Sequence, residues 1–214
     1  MKTKAQHIKA RLVEHFGNPS TELHYDNTYQ LLVAVILSAQ CTDARVNATT
    51  PALFTLYPNI DSLARADLTT LKECIKSISY PNNKAKHLIK MAQEVCSRFK
   101  GVIPSTQAEL KSLPGVGQKS ANVVLSVCFG QNYLAVDTHV FRVAHRLGLS
   151  QAKTPLQTEK DLSALFESDL AQLHHALILF GRYTCKALKP LCENCFLGDL
   201  CTHKTKSSII ISKT

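Results

Sequence analysis

The sequence predicts an all-α protein, on three observations. Apolar residues recur at three- and four-residue intervals, the period of a helix that buries one face. Glycine and threonine stand where such helices would stop and start. The Asn-Gly and Asp-Gly dipeptides that close β-hairpins do not occur, and the eight glycines are never adjacent.

Taken in order, Ala5, Ile8, Leu12 and Phe16 form the first stripe, with Gly17 as its stop. Leu31 to Leu37 is apolar throughout and rich in β-branched residues. Periodicity does not separate a buried strand from a buried helix there, nor over Ala121–Phe129 and Leu173–Phe180. The missing hairpin signals favour helices covered on every face. Ala85, Leu88, Ile89, Ala92, Val95, Cys96 and Phe99 make a clean amphipathic stripe that ends at Gly101. Thr106-x-x-Glu109 and Thr154-Pro155-Leu156-Gln157 have capping-box spacing, so each starts a helix, the second with proline in its first turn. Val140, Phe141, Val143, Ala144 and Leu147 make a further stripe, ended by Gly148. His203 to Thr214 reads as a loose tail.

Composition narrows the partners. Hydrophobic residues make up 45% of the 214, enough for a packed core and too many for a disordered chain. Lys and Arg exceed Asp and Glu by nine charges, a surplus that favours a polyanion, either nucleic acid or an anionic membrane surface. No run of eighteen apolar residues and no apolar stretch near Met1 is present, so neither a membrane span nor a secretory signal is expected. A reducing compartment follows, the cytoplasm, where the eight cysteines form no disulfide framework. Nucleic acid is the better partner.

Half of those cysteines, Cys185, Cys192, Cys195 and Cys201, fall within seventeen residues as C-x6-C-x2-C-x5-C. Four thiolates so close need a cation or a cluster to offset their repulsion, and the spacing suits either zinc or [4Fe–4S]. His203 is a competing ligand two residues beyond the last. Cys41, Cys74, Cys96 and Cys128 are scattered along apolar stretches and read as small buried hydrophobes. Lys186 and Lys189 lie on the loop between the first two cysteines, where a pinned loop offers two cations to phosphate. Solvated surface lysines are the plain alternative.

The other informative segment is Leu113-Pro114-Gly115-Val116-Gly117-Gln118-Lys119-Ser120-Ala121. Proline and two glycines allow a tight turn with uncovered amides, which together with the next helix N-terminus can hold a phosphate. The pattern resembles the hairpin of a helix-hairpin-helix DNA-binding motif, with Gly115, Val116 and Gly117 as its phosphate contacts. It is not a P-loop, because the four-residue spacer before Gly-Lys-Ser is missing. Lys119 opens the following helix. The positive helix end and partial burial are expected to lower its pKa, which would make it a nucleophile toward a sugar C1′; a phosphate contact is the alternative. Asp137, in Leu134-Ala135-Val136-Asp137-Thr138-His139, reads either as a helix N-cap or as a carboxylate that stabilises an oxocarbenium-like sugar.

Together these segments resemble the endonuclease III family of the helix-hairpin-helix superfamily. The likeness also takes in Leu31 to Asp43 and His174 to Cys185, and so spans nearly the whole chain. It implies a bifunctional DNA glycosylase and abasic-site lyase of two helical lobes flanking a DNA-binding cleft. A six-helix lobe would run over 21–133 with the hairpin. Residues 1–20 and 134–214 would form the second, with a [4Fe–4S] cluster on the loop 185–201. The resemblance makes Lys119 the nucleophile, Asp137 the catalytic carboxylate and Gln40 the side chain that fills the hole left by a flipped base. It implies a monomer acting on double-stranded DNA that contains damaged pyrimidines or abasic sites. Where the family commonly shows an apolar wedge, this chain has Tyr80-Pro81-Asn82-Asn83-Lys84, so Tyr80 is the candidate to stack between bases. A monofunctional adenine glycosylase of the same superfamily typically lacks the lysine. A non-catalytic DNA-binding module with a structural metal explains charge, hairpin and cysteines, but not Lys119 and Asp137 together.

Overall fold

The computed structural model describes residues 2–203 and has eleven α-helices and no strand among them. The tail expected beyond His203 lies outside the described residues. The chain divides into two compact units, one of Thr21–Gln131, the other of Met1–Ser20 with Asn132–Thr214.

The continuous unit holds α2 (Thr28–Ser38), α3 (Asp43–Leu56), α4 (Ile60–Ala64), α5 (Leu68–Cys74), α6 (Pro81–Phe99), α7 (Gln107–Ser112) and α8 (Gln118–Phe129). All three ambiguous apolar segments of the chain are helical. Helix α2 buries every residue from Leu31 to Leu37, because α3, α6 and α8 pack around it. Helices α4 and α5 pack on α6, whose stripe Ala85, Leu88, Ala92 and Val95 is fully buried. The unit has seven helices where six were expected. The five-residue α4 raises the number; it holds because Asn59 and Ser62 form a reciprocal cap, Ser62 N donating to Asn59 Oδ1 at 2.9 Å and Asn59 N to Ser62 Oγ at 3.2 Å.

The discontinuous unit holds α1 (Lys2–Phe16), α9 (Thr138–Arg146), α10 (Pro155–Phe166) and α11 (Leu170–Leu179), followed by a π-helical turn at Phe180–Thr184 and a 3-10 turn at Gly198–Leu200. Ile8 and Leu12 of α1 meet Val140, Val143, Leu162, Leu173, Leu177 and Phe180 in one core. The capping boxes expected at Thr106 and Thr154 are half formed. Each threonine accepts the backbone N–H three residues on, at 3.3 and 3.2 Å. The partners do not reach back to the cap amide: Gln157 donates to Asp161 at 3.2 Å instead, and the Glu109 carboxylate takes the Thr106 hydroxyl.

Candidate functional site

The hairpin joins α7 to α8. Val116 N donates to Leu113 O at 3.1 Å and closes the turn, and the Val116 side chain is buried beneath it. Gly115 has φ +81°, and a Cβ there would lie 3.0 Å from His87 Cβ, so a larger residue would both strain the backbone and crowd α6. Gly117 is the N-cap of α8 and offers no side-chain cap. Lys119, two residues into the helix, is exposed. That corrects the partial burial expected for it: the residue is exposed at the helix entry.

Two further turns belong to the same unit. Gln40, just past the end of α2, is exposed at φ +55°. Tyr80, the residue before α6, sits at φ +58° and is 62% exposed. Left-handed backbone costs a residue with a Cβ about 1–2 kcal/mol, so each turn must be held by its surroundings. The start of α6 does this. Lys84 is only 6% exposed, and its Nζ donates to Leu37 O at 2.7 Å and Ala39 O at 2.6 Å. Its amide donates to Tyr80 O at 3.1 Å. Burial pulls the Lys84 pKa below that of an ordinary lysine, and the neighbouring Cys41 partly opposes this.

In the other unit, Asp137 is the N-cap of α9, and its Oδ1 accepts from Val140 N at 2.8 Å. The capping reading is therefore realised. It takes one lone pair of a group that offers about four, so capping and a role toward the sugar are compatible. From the other end of α9, Arg146 reaches the cysteine loop. Its guanidinium donates to Lys186 O at 2.7 Å, Ala187 O at 3.1 Å and Cys185 Sγ at 3.4 Å. Arg142, one turn earlier, donates to Gly181 O at 2.7 Å and Cys185 O at 3.1 Å. The π-helical turn lies close against α9, where a Cβ on Gly181 would come 2.9 Å from His139 Cβ. Cys185 N closes that turn onto Phe180 O at 2.7 Å. Lys186 and Lys189 are both exposed on the loop thus pinned.

Cys185, Cys192, Cys195 and Cys201 line one cavity of about 110 Å³. None is in a disulfide. Burial pushes the Cys195 thiol up, and the three other sulfurs add to the shift, so ionising the set needs a compensating cation. No three His, Cys, Asp or Glu side chains among the described residues converge on one metal-ion position. Four cysteine sulfurs lining one cavity fit either a cluster, in which each sulfur takes its own iron, or a tetrahedral zinc. His203 lines the same cavity, and its backbone N–H donates to Cys201 Sγ at 3.4 Å.

Comparison with known proteins agrees with this reading. Residues 33–168 match the HhH-GPD superfamily of base excision DNA repair proteins. Residues 185–201 match the iron–sulfur binding domain of endonuclease III. Endonuclease III of Haemophilus influenzae is 42% identical over 206 residues, covering 96% of this chain and 98% of its own. That of Escherichia coli is 40% identical over 209 residues, covering 97% and 99%.

The chain belongs to the endonuclease III family.

A solved endonuclease III trapped as a covalent intermediate with DNA, in an estranged-adenine complex, superposes with a TM-score of 0.91 at 40% identity, covering 94% of this chain and 96% of that one. A thermostable thymine-DNA glycosylase, 22% identical with a TM-score of 0.85, shares the fold. As an endonuclease III family member the chain is a DNA glycosylase and abasic-site lyase of base excision repair, binds DNA and carries an iron–sulfur cluster. The non-catalytic alternative is not favoured. No helix among the described residues is long and apolar enough to cross a membrane.

Three residues of the candidate sites in the two units escaped sequence reasoning. Arg142 and Arg146 stand four apart on α9, one turn of the same face, and that spacing was the available signal. Lys84 occupies a core-facing position of α6, four residues before Leu88, where a charge is out of place.

Proposed function

We propose that the chain removes oxidised or saturated pyrimidines from double-stranded DNA and then cleaves the abasic site, with Lys119 as the nucleophile and Asp137 as the catalytic carboxylate. The observation that carries the assignment is Lys119 itself, an exposed residue at the open entry of α8, directly after the Gly115-Val116-Gly117 turn. The turn and the helix N-terminus are suited to a backbone phosphate, which would bring the amine to the sugar next to it.

The target C1′ is hidden in the duplex, so the nucleotide must first turn out of the stack. Damaged pyrimidines pair and stack poorly, which lowers a cost of a few kcal/mol. Gln40 fills the space left behind and Tyr80 stacks beside it. The unprotonated Lys119 amine attacks C1′ and the N-glycosidic bond breaks. The base leaves with the bonding electrons and takes up a proton. Asp137 stabilises positive charge on the sugar as that bond opens. The nitrogen then loses a proton and its lone pair expels O4′, which takes up a proton, so that the opened sugar is held as an iminium at C1′. Removal of a C2′ proton expels the 3′ phosphate by β-elimination, which cuts the strand 3′ to the abasic sugar, and water releases the enzyme. Cys185, Cys192, Cys195 and Cys201 are the ligands of a [4Fe–4S] cluster. Its part is structural, fixing the loop on which Lys186 and Lys189 meet phosphates. The protein acts as a monomer in the bacterial cytoplasm.

Borohydride trapping on a panel of duplexes tests this reading. An adduct is expected on duplexes carrying thymine glycol or an abasic site, and none on undamaged DNA. No adduct on any damaged duplex would sink the assignment.

A further inference from the structure

The search leads to the buried ammonium of Lys84, which the reaction does not use. Helix α2 is apolar on all sides and has no basic residue in its last turn. Its terminal carbonyls need donors. Val35 O takes the Ser38 hydroxyl at 2.9 Å, and Ser38 O takes the Cys41 amide at 3.0 Å. Leu37 O and Ala39 O take Lys84 Nζ. The chain on either side of Gln40 is thereby fixed, and Gln40 is left in the left-handed region. The backbone of the same lysine holds the carbonyl of Tyr80, the other left-handed residue. One residue therefore ties both strained turns, forty positions apart in the chain, into one body. Burying a cation is expensive, and capping two carbonyls would not by itself need a charge. The negative end of α2 offsets part of that cost.

We infer that Lys84 is a positioning residue that sets the Gln40 and Tyr80 turns in fixed relation, so that both side chains enter the duplex together as the damaged nucleotide leaves it. This rests on the reading that Gln40 and Tyr80 enter DNA. Lys84 acts on extrusion of the nucleotide and has no part in the bond-breaking steps.

The test compares two substrates under single-turnover conditions with the cluster-loaded protein. One is a duplex with a paired thymine glycol; the other is an abasic site in single-stranded DNA, where no nucleotide has to be extruded. Lys84→Met keeps the length of the side chain and removes its donors. It should slow base release from the duplex by about ten- to a hundred-fold, the size expected of a misplaced constellation. Borohydride trapping on the single strand should stay within about two-fold, because there is no stack to open. A duplex rate like the parent's, or equal loss on both substrates, overturns the inference. Should Lys84→Met fail to keep its visible absorbance and melting temperature, Lys84→Leu, which also lacks side-chain donors, carries the same comparison with the same criteria. Gln40→Ala and Tyr80→Ala are run beside it. If neither shifts the ratio of the two rates, the reading of those side chains fails, and the inference with it. If both shift it and the Lys84 variant does not, the inference alone fails.

Discussion

The entries to α8 and α9 are helix starts built on opposite plans. At α9, Asp137 closes the end by accepting Val140 N, a negative group at the positive pole of the helix. At α8, Gly117 supplies no cap and a cation follows two positions on, the arrangement that the helix dipole disfavours. A folding argument alone would choose the first plan every time. Under the role proposed for Lys119, the second persists because the helix start serves a partner rather than the fold. The pairing teaches where to look: a functional lysine shows itself by sitting in the wrong place, whereas a functional aspartate can hide in the right one.

The largest effect should come from Lys119→Gln. It should abolish the borohydride adduct and strand cleavage while the melting temperature holds, since the side chain it removes is exposed. An adduct that persists in gel-shift after trapping would transfer the nucleophile to another residue.

Asp137 allows a cleaner separation. Asparagine caps helices as well as aspartate does, so Asp137→Asn should leave stability and DNA binding unchanged. Turnover should fall by about 10²–10⁴, the usual size of lost acid–base or charge stabilisation. Asp137→Ala should lose the same activity and about 1 kcal/mol of stability in addition. Equal activity in Asp137→Asn and the parent enzyme would reduce the residue to a cap.

The hairpin glycines form a smaller contrast. Gly115→Ala forces φ +81° on a residue with a Cβ 3.0 Å from His87 Cβ, and should cost about 1–2 kcal/mol in urea denaturation. It should weaken DNA binding as well. Gly117 has φ −91° and nothing within 4 Å of an added Cβ, so Gly117→Ala should cost less than about 1 kcal/mol. Identical losses would mean that the turn is not held against α6.

The scaffold supplies a further reference. His175 on α11 is buried, its Nε2 makes no hydrogen bond among the described residues, and burial drives its pKa down from 6.5 to about 4. Below about 6.5 the unfolded chain holds the extra proton and the folded one does not, so stability rises with pH across this window. The contribution is complete near pH 7 and is lost as pH falls to about 4, amounting to about 3 kcal/mol. His175→Leu should flatten this part of the profile in urea melts at pH 7 and pH 4.5.

Most helices were legible because their stripes are periodic and their stops explicit: Gly17, Gly101 and Gly148 each follow a helix at the expected place. Helices α3 to α5 were not, since Pro51 interrupts the pattern of one and the other two are only five and seven residues long. The π-helical turn at Phe180–Thr184 was invisible because it carries an ordinary helical sequence. It depends on the fit of Gly181 against α9, a tertiary contact. At the candidate site, the hairpin of Gly115 to Gly117 and the grouping of the four cysteines could be read from spacing, while the roles proposed for Lys119 and Asp137 rest on the family resemblance. Lys84 could not, because burial of a lysine depends on which carbonyls a distant helix end presents to it.

The packing of α1 on α10 and α11 has a consequence for biosynthesis. Ile8 and Leu12 leave the ribosome first, yet their neighbours Leu162, Leu173 and Leu177 are about 160 residues behind. At translation speeds of about 5–20 residues per second, that apolar face waits roughly ten to thirty seconds for its partners. Thr21–Gln131 carries its own core and emerges whole in that interval. The nascent chain thus carries one unmatched apolar helix face until the last third of the sequence arrives.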